Sequence, residues 1–233
     1  MAKNSIASGA YRNAILARLS PRLVEALRLE TVDLPVNKIL YEPNLPIEHV
    51  YFPERGVLSV VSIMENGDSI EVGTIGREGM AGSMLLLHAA TVPYRCFMQV
   101  GGEGYRVATA AFMQLAAANS DLQNLVLKYE AAFRIQTQQG MACNGLHSVE
   151  QRCCRWLLMT RDRVDSDDLK LTHEFLGLML GVRRASVSEV LAPLQDLELV
   201  RSNRGTITIL NRRALEARVC ECYWIMAQRE SEL

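Results

Sequence analysis

Gly76, Gly79 and Gly82 lie close together in the stretch GREGMAGSM, with Arg77 and Glu78 between the first two. Backbone N–H groups freed of side-chain bulk, beside a guanidinium, are the chemistry of an anion cradle. The stretch is not a P-loop, because no Gly-Lys-Ser/Thr follows and no helix start is evident. A second concentration of reactive groups lies in LTHEFLGLMLGVRRASVSEVLAPLQDLELVRSNRGTITIL. There Arg183, Arg184, Ser186, Ser188 and Glu189 gather within one short segment, and Arg201 and Arg204 follow. Arginines can neutralise phosphates, and polar side chains near the start of a helix can reach base edges in a major groove. From Arg183 to Arg213 six arginines stand against three acids, Glu189, Asp196 and Glu198. That local excess of positive charge contrasts with a whole-chain formal charge of −1.

Other titratable groups give no reaction centre. His49, His88, His147 and His173 are scattered, and no nucleophile–base pairing is visible, so an enzyme is not expected. Cys96, Cys143, Cys153, Cys154, Cys220 and Cys222 do not match C-x2-C zinc or iron–sulfur spacing. They read as buried small side chains or free thiols, and no metal ligand is assigned.

The elements that must position these groups follow from pattern. Ala10 to Leu29 reads helical, with Ser20-Pro21 as N-cap and first residue of a second short helix. From Thr31 to Val107, short apolar runs alternate with turn signals, and Asn66-Gly67 marks a hairpin. Such spacing predicts an antiparallel barrel or sandwich. Helix returns at Thr109, and Asp121 is expected to cap a long helix whose Leu122, Leu125, Val126, Tyr129, Ala132 and Phe133 form an apolar stripe. Ser148 to Gln151 is a capping box opening a helix through VEQRCCRWLLMTRDRV, and Asp165 to Asp168 is expected to be a solvated loop. Thr172 caps a further helix, and Gly181 sits where a tight inter-helix turn needs positive φ. A second helix runs from about Arg184, burying Val187, Val190, Leu191 and Leu194, and a hairpin turns at Asn203-Arg204-Gly205. Helix, glycine turn, helix and hairpin make a winged helix-turn-helix.

At 233 residues, nearly half of them apolar, the chain can bury a sizeable core without staples. The N-terminus MAKNSIASGAYRN has no apolar core of a signal peptide, and Met80 to Val92 is too short to cross a bilayer. A cytoplasmic protein without membrane contact is expected.

In order and motif, the chain resembles the Crp/Fnr family of bacterial transcription regulators over nearly its whole length. The specific part is the helix-turn-helix with its wing; ILYEPNLPIEHVYFPERGVLSVVSIMENGDSIEVGTIGREG also runs like the family's cyclic-nucleotide-binding β-roll. The resemblance implies an α+β chain: an N-terminal antiparallel β-roll of the jelly-roll type (1–120, sensory), a dimerisation helix and hinge (121–147) and a winged helix-turn-helix (148–233, DNA-binding). It implies a homodimer on a palindromic double-stranded DNA operator, and RNA polymerase as a partner if the protein activates. In cAMP-binding relatives the second helix presents an Arg, a Glu beside it and a further Arg one turn on. Here those places hold Arg184, Ala185 and Glu189, so the half-site should differ; Arg183 stands where a Ser or Thr cap is frequent. The oxygen-sensing relatives' N-terminal cysteine cluster has no counterpart before Cys96.

The same resemblance would place the cassette's Glu at Glu78, its phosphate-binding Arg at Arg95 and the dimer helix's hydroxyl pair at Thr137 and Gln138. One hydroxyl is lost, and an apolar MLLLHAATVPY separates Glu78 from Arg95. No cofactor is required, and the roll is expected to take either a small-molecule effector other than classical cAMP or no effector. The rival expectation is a ligand-sensing interaction module whose DNA-binding unit is vestigial, which the unusual Glu189 would suit.

Overall fold

The computed structural model describes residues 11–232. The polypeptide makes two compact units, one from residues up to 58 with 75–132, the other from 59–74 with 133–232. The fold is α+β with antiparallel sheets, a long helix and a C-terminal helix-turn-helix, as the sequence implies.

The N-terminal segment is less helical than its composition suggests, and Ala10 lies outside the described residues. Asn13 Oδ1 accepts from the N–H groups of Ile15 and Leu16 at 3.1 and 3.2 Å, which limits the chain there to a 3-10 turn at Leu16–Arg18. Ser20 then caps α1 (Pro21–Leu27).

Seven strands follow: β1 (Glu30–Leu34), β2 (Ile39–Tyr41), β3 (His49–Pro53), β4 (Val57–Ile63), β5 (Ser69–Ile75), β6 (Arg95–Val100) and β7 (Gly102–Ala108). They form a three-stranded sheet in the order β1-β7-β3 and a four-stranded sheet in the order β2-β6-β4-β5. In the first sheet Leu34 faces Gly102 and Val50 faces Val107. Leu34, Val50, Phe52, Leu58, Met98 and Val107 are buried, an alternation that packs one face of each ladder inward. The turn between β4 and β5 is the Asn-Gly hairpin: Gly67 has φ +87°, and Met64 donates to the Asp68 carbonyl at 2.7 Å.

Next come α2 (Thr109–Ala117) and α3 (Ser120–Leu146). Phe112 of α2 packs against Phe52, ring centroids 6.5 Å apart. The cap of α3 is Asn119, whose Oδ1 accepts from Leu122 N at 3.0 Å, and not Asp121, which falls within the first turn. Leu122, Val126 and Tyr129 are buried, whereas Leu125, Ala132 and Phe133 are half-buried.

The capping box forms as expected and starts α4 (Val149–Val164). The acidic stretch after it is not all loop. Asp168 and Leu169 form β8 (Asp168–Leu169), held because the Thr208 hydroxyl donates to the Asp168 carboxylate at 2.6 Å. The C-terminal part continues through α5 (His173–Leu180), α6 (Arg184–Asp196), β9 (Val200–Asn203), β10 (Thr206–Ile209), α7 (Arg212–Glu216) and α8 (Cys222–Ser231). A sheet in the order β8-β10-β9 backs the helices, around Leu157, Leu158, Leu176, Val187, Leu191, Leu194 and Ile207. Val190 is half-buried. Among the described residues no helix is long and apolar enough to cross a membrane.

Candidate functional site

The helix-turn-helix is set by local chemistry. Thr172 Oγ1 accepts from Phe175 N at 3.1 Å and fixes the start of α5. Gly181 ends that helix at φ +64°, where an added Cβ would lie 2.7 Å from Ile70 Cδ1. At Gly177 a Cβ would meet the Val182 carbonyl at 2.8 Å, so α5 and the turn can approach closely only with glycine there. The chain then enters α6 through Arg183, an N-cap in extended conformation whose side chain caps nothing. The first N–H groups of α6 therefore lack a side-chain cap.

With Val187, Leu191 and Leu194 buried, helical periodicity turns Arg184, Ser188 and Glu189 outward; all three are exposed, and Ser186 is half-buried. Arg183, Arg201 and Arg204 are exposed as well. The wing turn is a tight one, with Arg204 at φ +44° and Gly205 at φ +80°. Seven sequence-expected residues thus fall on α6, its entry and the wing.

His173 joins these pieces, and the sequence reading missed it. One ring nitrogen, Nδ1, lies 3.0 Å from Ser188 Oγ on α6, and the other, Nε2, 2.7 Å from Ser202 Oγ on β9. Partial burial, then the nearby Arg184 charge, lowers its pKa and favours the neutral ring. A neutral imidazole offers one donor and one acceptor, which two hydroxyls can match. The signal available was its place directly after the Thr172 cap.

The glycine-rich turn proves to be packed with protein. Glu78 Oε1 accepts from Gly76 N at 2.8 Å, folding the carboxylate back on its own loop. A Cβ on Gly79 would lie 2.0 Å from the Tyr129 ring of α3. On its outer side, buried Asn13 donates through Nδ2 to the Gly79 carbonyl at 2.7 Å, and Ala14 N donates to the Arg77 carbonyl at 2.7 Å. Ser83 donates to the Glu130 carboxylate. Arg95 pairs with Glu42 at 2.9 Å. Glu78 and Arg95 are therefore each engaged with protein groups.

Thr137 lines a cavity of about 290 Å³ within the second unit, whereas Gln138 is exposed and does not line it. The walls carry Glu71, Thr74, Gln136, Arg155 and Trp156, closed by Met141, Met159, Met179 and Met226. Glu71 accepts from Ser59 Oγ at 2.6 Å and from Trp156 Nε1 at 2.8 Å. Burial nevertheless pushes its carboxyl up to about 7, against the lowering effect of those hydrogen bonds and of Arg155 and Arg163. Arg155 Nη1 lies 3.4 Å from Met159 Sδ and 3.8 Å from Met226 Sδ, and its buried Nε has no hydrogen-bond partner among the described residues. A cavity with an under-used guanidinium and a carboxyl poised near neutrality can take a small polar ligand.

The cysteines add what spacing concealed. All six are buried and free, and three of them converge with His147 into a group able to hold a metal ion.

A Crp-like helix-turn-helix domain matches residues 151–218, and a cyclic nucleotide-binding domain matches residues 31–119. A global nitrogen regulator from Synechocystis sp. is 26% identical over 215 residues, covering 87% of this chain and 92% of its own. Among solved structures, a transcriptional regulator of the Crp/Fnr family from Eubacterium rectale superposes with a TM-score of 0.69 at 18% identity, covering 86% of this chain and 94% of its own. A CRP-family transcriptional regulator from Thermus thermophilus gives 0.68 at 20% identity, covering 80% of this chain and 95% of its own. With a cyclic nucleotide-binding domain and a Crp-like helix-turn-helix each matched in its own segment, the chain is a DNA-binding transcription regulator of the Crp/Fnr type.

Proposed function

We propose that this regulator acts as a homodimer on a two-fold-symmetric operator, reading each half-site through α6 and gripping phosphates through the wing. The observation that carries the reading is the exposed row Arg183, Arg184 and Ser188 on α6 and its entry, flanked by Arg201 and Arg204. Arg184 is the candidate for a bidentate contact to guanine, Ser186 and Ser188 for adjacent base edges, and Glu189 for a cytosine amino group. Arg183, Arg201 and Arg204 are the phosphate contacts, aided by the α6 N–H groups that no side chain caps.

Residues 121–147 supply the dimer contact in this reading. Leu127 and Met141 of α3 are exposed and two heptads apart, so a stripe of α3 is left for a second copy. Residues 1–120 serve as the sensory roll and 148–233 as the DNA-binding part, with RNA polymerase as a further partner in activation and the cytoplasm as the working compartment. The effector is a small molecule other than cAMP. Its support is that Glu78 and Arg95 already have protein partners, while the cavity beside Thr137 carries Arg155 and Glu71.

Gel-shift assays across genomic fragments at physiological salt test the reading. A preferred, roughly palindromic site supports it; equal, weak binding to all fragments would leave an interaction module with a vestigial DNA-binding unit.

A further inference from the structure

Four side chains from two distant segments converge at the C-terminal end of α3. Cys143 and His147 are four residues apart, and the His147 N–H still donates to the Cys143 carbonyl at 3.0 Å, so helical geometry puts both on one face. Cys220 and Cys222 come from the turn that leads into α8, which Tyr223 N tightens by donating to the Cys220 carbonyl at 3.2 Å. The three sulfurs and one imidazole nitrogen all lie within 4.8 Å of one another. Cys143 Sγ and Cys220 Sγ are 3.5 Å apart, and Cys222 Sγ is 3.5 Å from His147 Nδ1.

The sulfur–sulfur contact of Cys143 with Cys220 and the sulfur–nitrogen contact of Cys222 with His147, 3.5 Å each, are close to those of a coordination shell. Zinc–sulfur bonds of about 2.3 Å and zinc–nitrogen bonds of about 2.0–2.1 Å, at tetrahedral angles, give S···S edges of about 3.8 Å and S···N edges of about 3.5 Å. Packing of buried thiols would account for three buried cysteines. It does not account for the imidazole. His147 Nε2 lies 3.3 Å from the Glu221 carboxylate, which can accept its N–H, while Nδ1 faces Cys222 Sγ at 3.5 Å. A carboxylate behind a histidine is the outer support that orients a metal-bound imidazole. Gln139 Nε2 also donates to Cys222 Sγ at 3.1 Å, which fixes the sulfur's position from the α3 side.

We propose that Cys143, His147, Cys220 and Cys222 bind a single zinc ion in a closed, tetrahedral, structural site. Thiolate and imidazole ligands suit Zn²⁺, and four protein ligands leave no open position for chemistry. The ion ties the end of α3 to the start of α8, joining His147 to Cys222 across 75 residues of sequence. It thereby adds a metal clamp to the side-chain contacts by which Gln136 and Gln139 of α3 already hold Glu230 and Cys222 of α8. The proposal is independent of which operator or effector the protein recognises.

The test uses the full chain. Protein purified from zinc-supplemented medium and passed through metal-free buffer is expected to retain a single zinc per chain by elemental analysis. Titration of the reduced apo form with Co²⁺ is expected to give thiolate charge-transfer absorption and the visible bands of tetrahedral coordination. Cys143→Ser and Cys222→Ser should lose the metal, and Cys96→Ser should keep it. Glu221→Gln, which leaves all four ligands in place, should weaken zinc about 10- to 100-fold. A folded wild-type protein that holds no zinc and gives no cobalt charge-transfer band overturns the proposal, as does a Cys143–Cys220 disulfide in freshly isolated protein without metal. Equal zinc content in Cys222→Ser and wild type also overturns it.

Discussion

Trp156 donates its indole N–H to the Glu71 carboxylate at 2.8 Å, and that carboxylate holds its proton up to about pH 7. Burial is the main cause, so the folded state binds a proton that the unfolded chain releases near the ordinary carboxyl value of 4.5. Stability from this group is fully present below about pH 4.5 and is lost as pH rises through about 7. Glu71→Gln keeps an oxygen for Trp156 and removes the titration. Urea unfolding at pH 5 and pH 8 should show wild type losing stability relative to Glu71→Gln over that interval. Curves that stay parallel would mean that Glu71 does not carry a raised pKa.

His173 titrates in the opposite sense. Its folded-state pKa is lowered below the ordinary histidine value of 6.5, so its contribution is fully present above about pH 6.5 and is lost as pH falls below that. His173→Ala removes two neutral hydrogen bonds, worth about 0.5–1.5 kcal/mol each, to Ser188 and Ser202. The variant should lose about 1–2 kcal/mol in thermal unfolding at pH 7.5, and the difference from wild type should shrink toward pH 5. Specific DNA affinity should fall with it, because the ring aligns α6 with the wing. A variant with wild-type stability and affinity would reduce these contacts to incidental ones.

Gly79 packs directly against Tyr129. A methyl group there would overlap the Tyr129 ring, whose Cε2 lies 2.0 Å from the added carbon. Tyr129 is buried and cannot swing into solvent, so Gly79→Ala should destabilise the roll by about 1–3 kcal/mol, the range for overpacking. Chemical denaturation with an unchanged m-value checks this. A loss within about 0.5 kcal/mol, as for an ordinary surface change, would show that the ring yields.

What the sequence made legible is what a few neighbouring residues decide among themselves. The Asn66-Gly67 turn, the Ser148–Gln151 box, the Thr172 cap, the positive φ at Gly181 and the Asn203–Gly205 hairpin each form as their local chemistry requires. With them came the winged helix-turn-helix and the exposed face of α6. What stayed hidden depends on partners far along the chain. Asn13 reaches Gly79 across 66 residues, and Thr208 recruits Asp168 into a strand across 40. Gly76 to Gly82 looked like a cradle because glycines were counted without the Tyr129 ring that fills the space. The cysteines looked inert because Cys143-x3-His147 and Cys220-x-Cys222 are each half of a ligand set. Spacing rules see only complete sets.

In the proposed reading, Arg184 makes a base contact and Arg204 a phosphate contact, and their replacement separates the two. Arg184 is exposed on α6, whereas Arg204 sits at the tip of the wing in a left-handed turn conformation. Replacing Arg184 by Ala should cost about 1–3 kcal/mol on the preferred site and little on random DNA, because a base-edge contact discriminates. Replacing Arg204 by Ala should weaken both alike and lower the dependence of log affinity on log salt by about 0.9, the effect of one lost phosphate contact. Filter binding of both variants at several salt concentrations, on specific and random duplexes, measures all four quantities. Equal losses on both duplexes for Arg184→Ala would move that residue to the phosphate backbone and shift the reading head toward Ser186, Ser188 and Glu189.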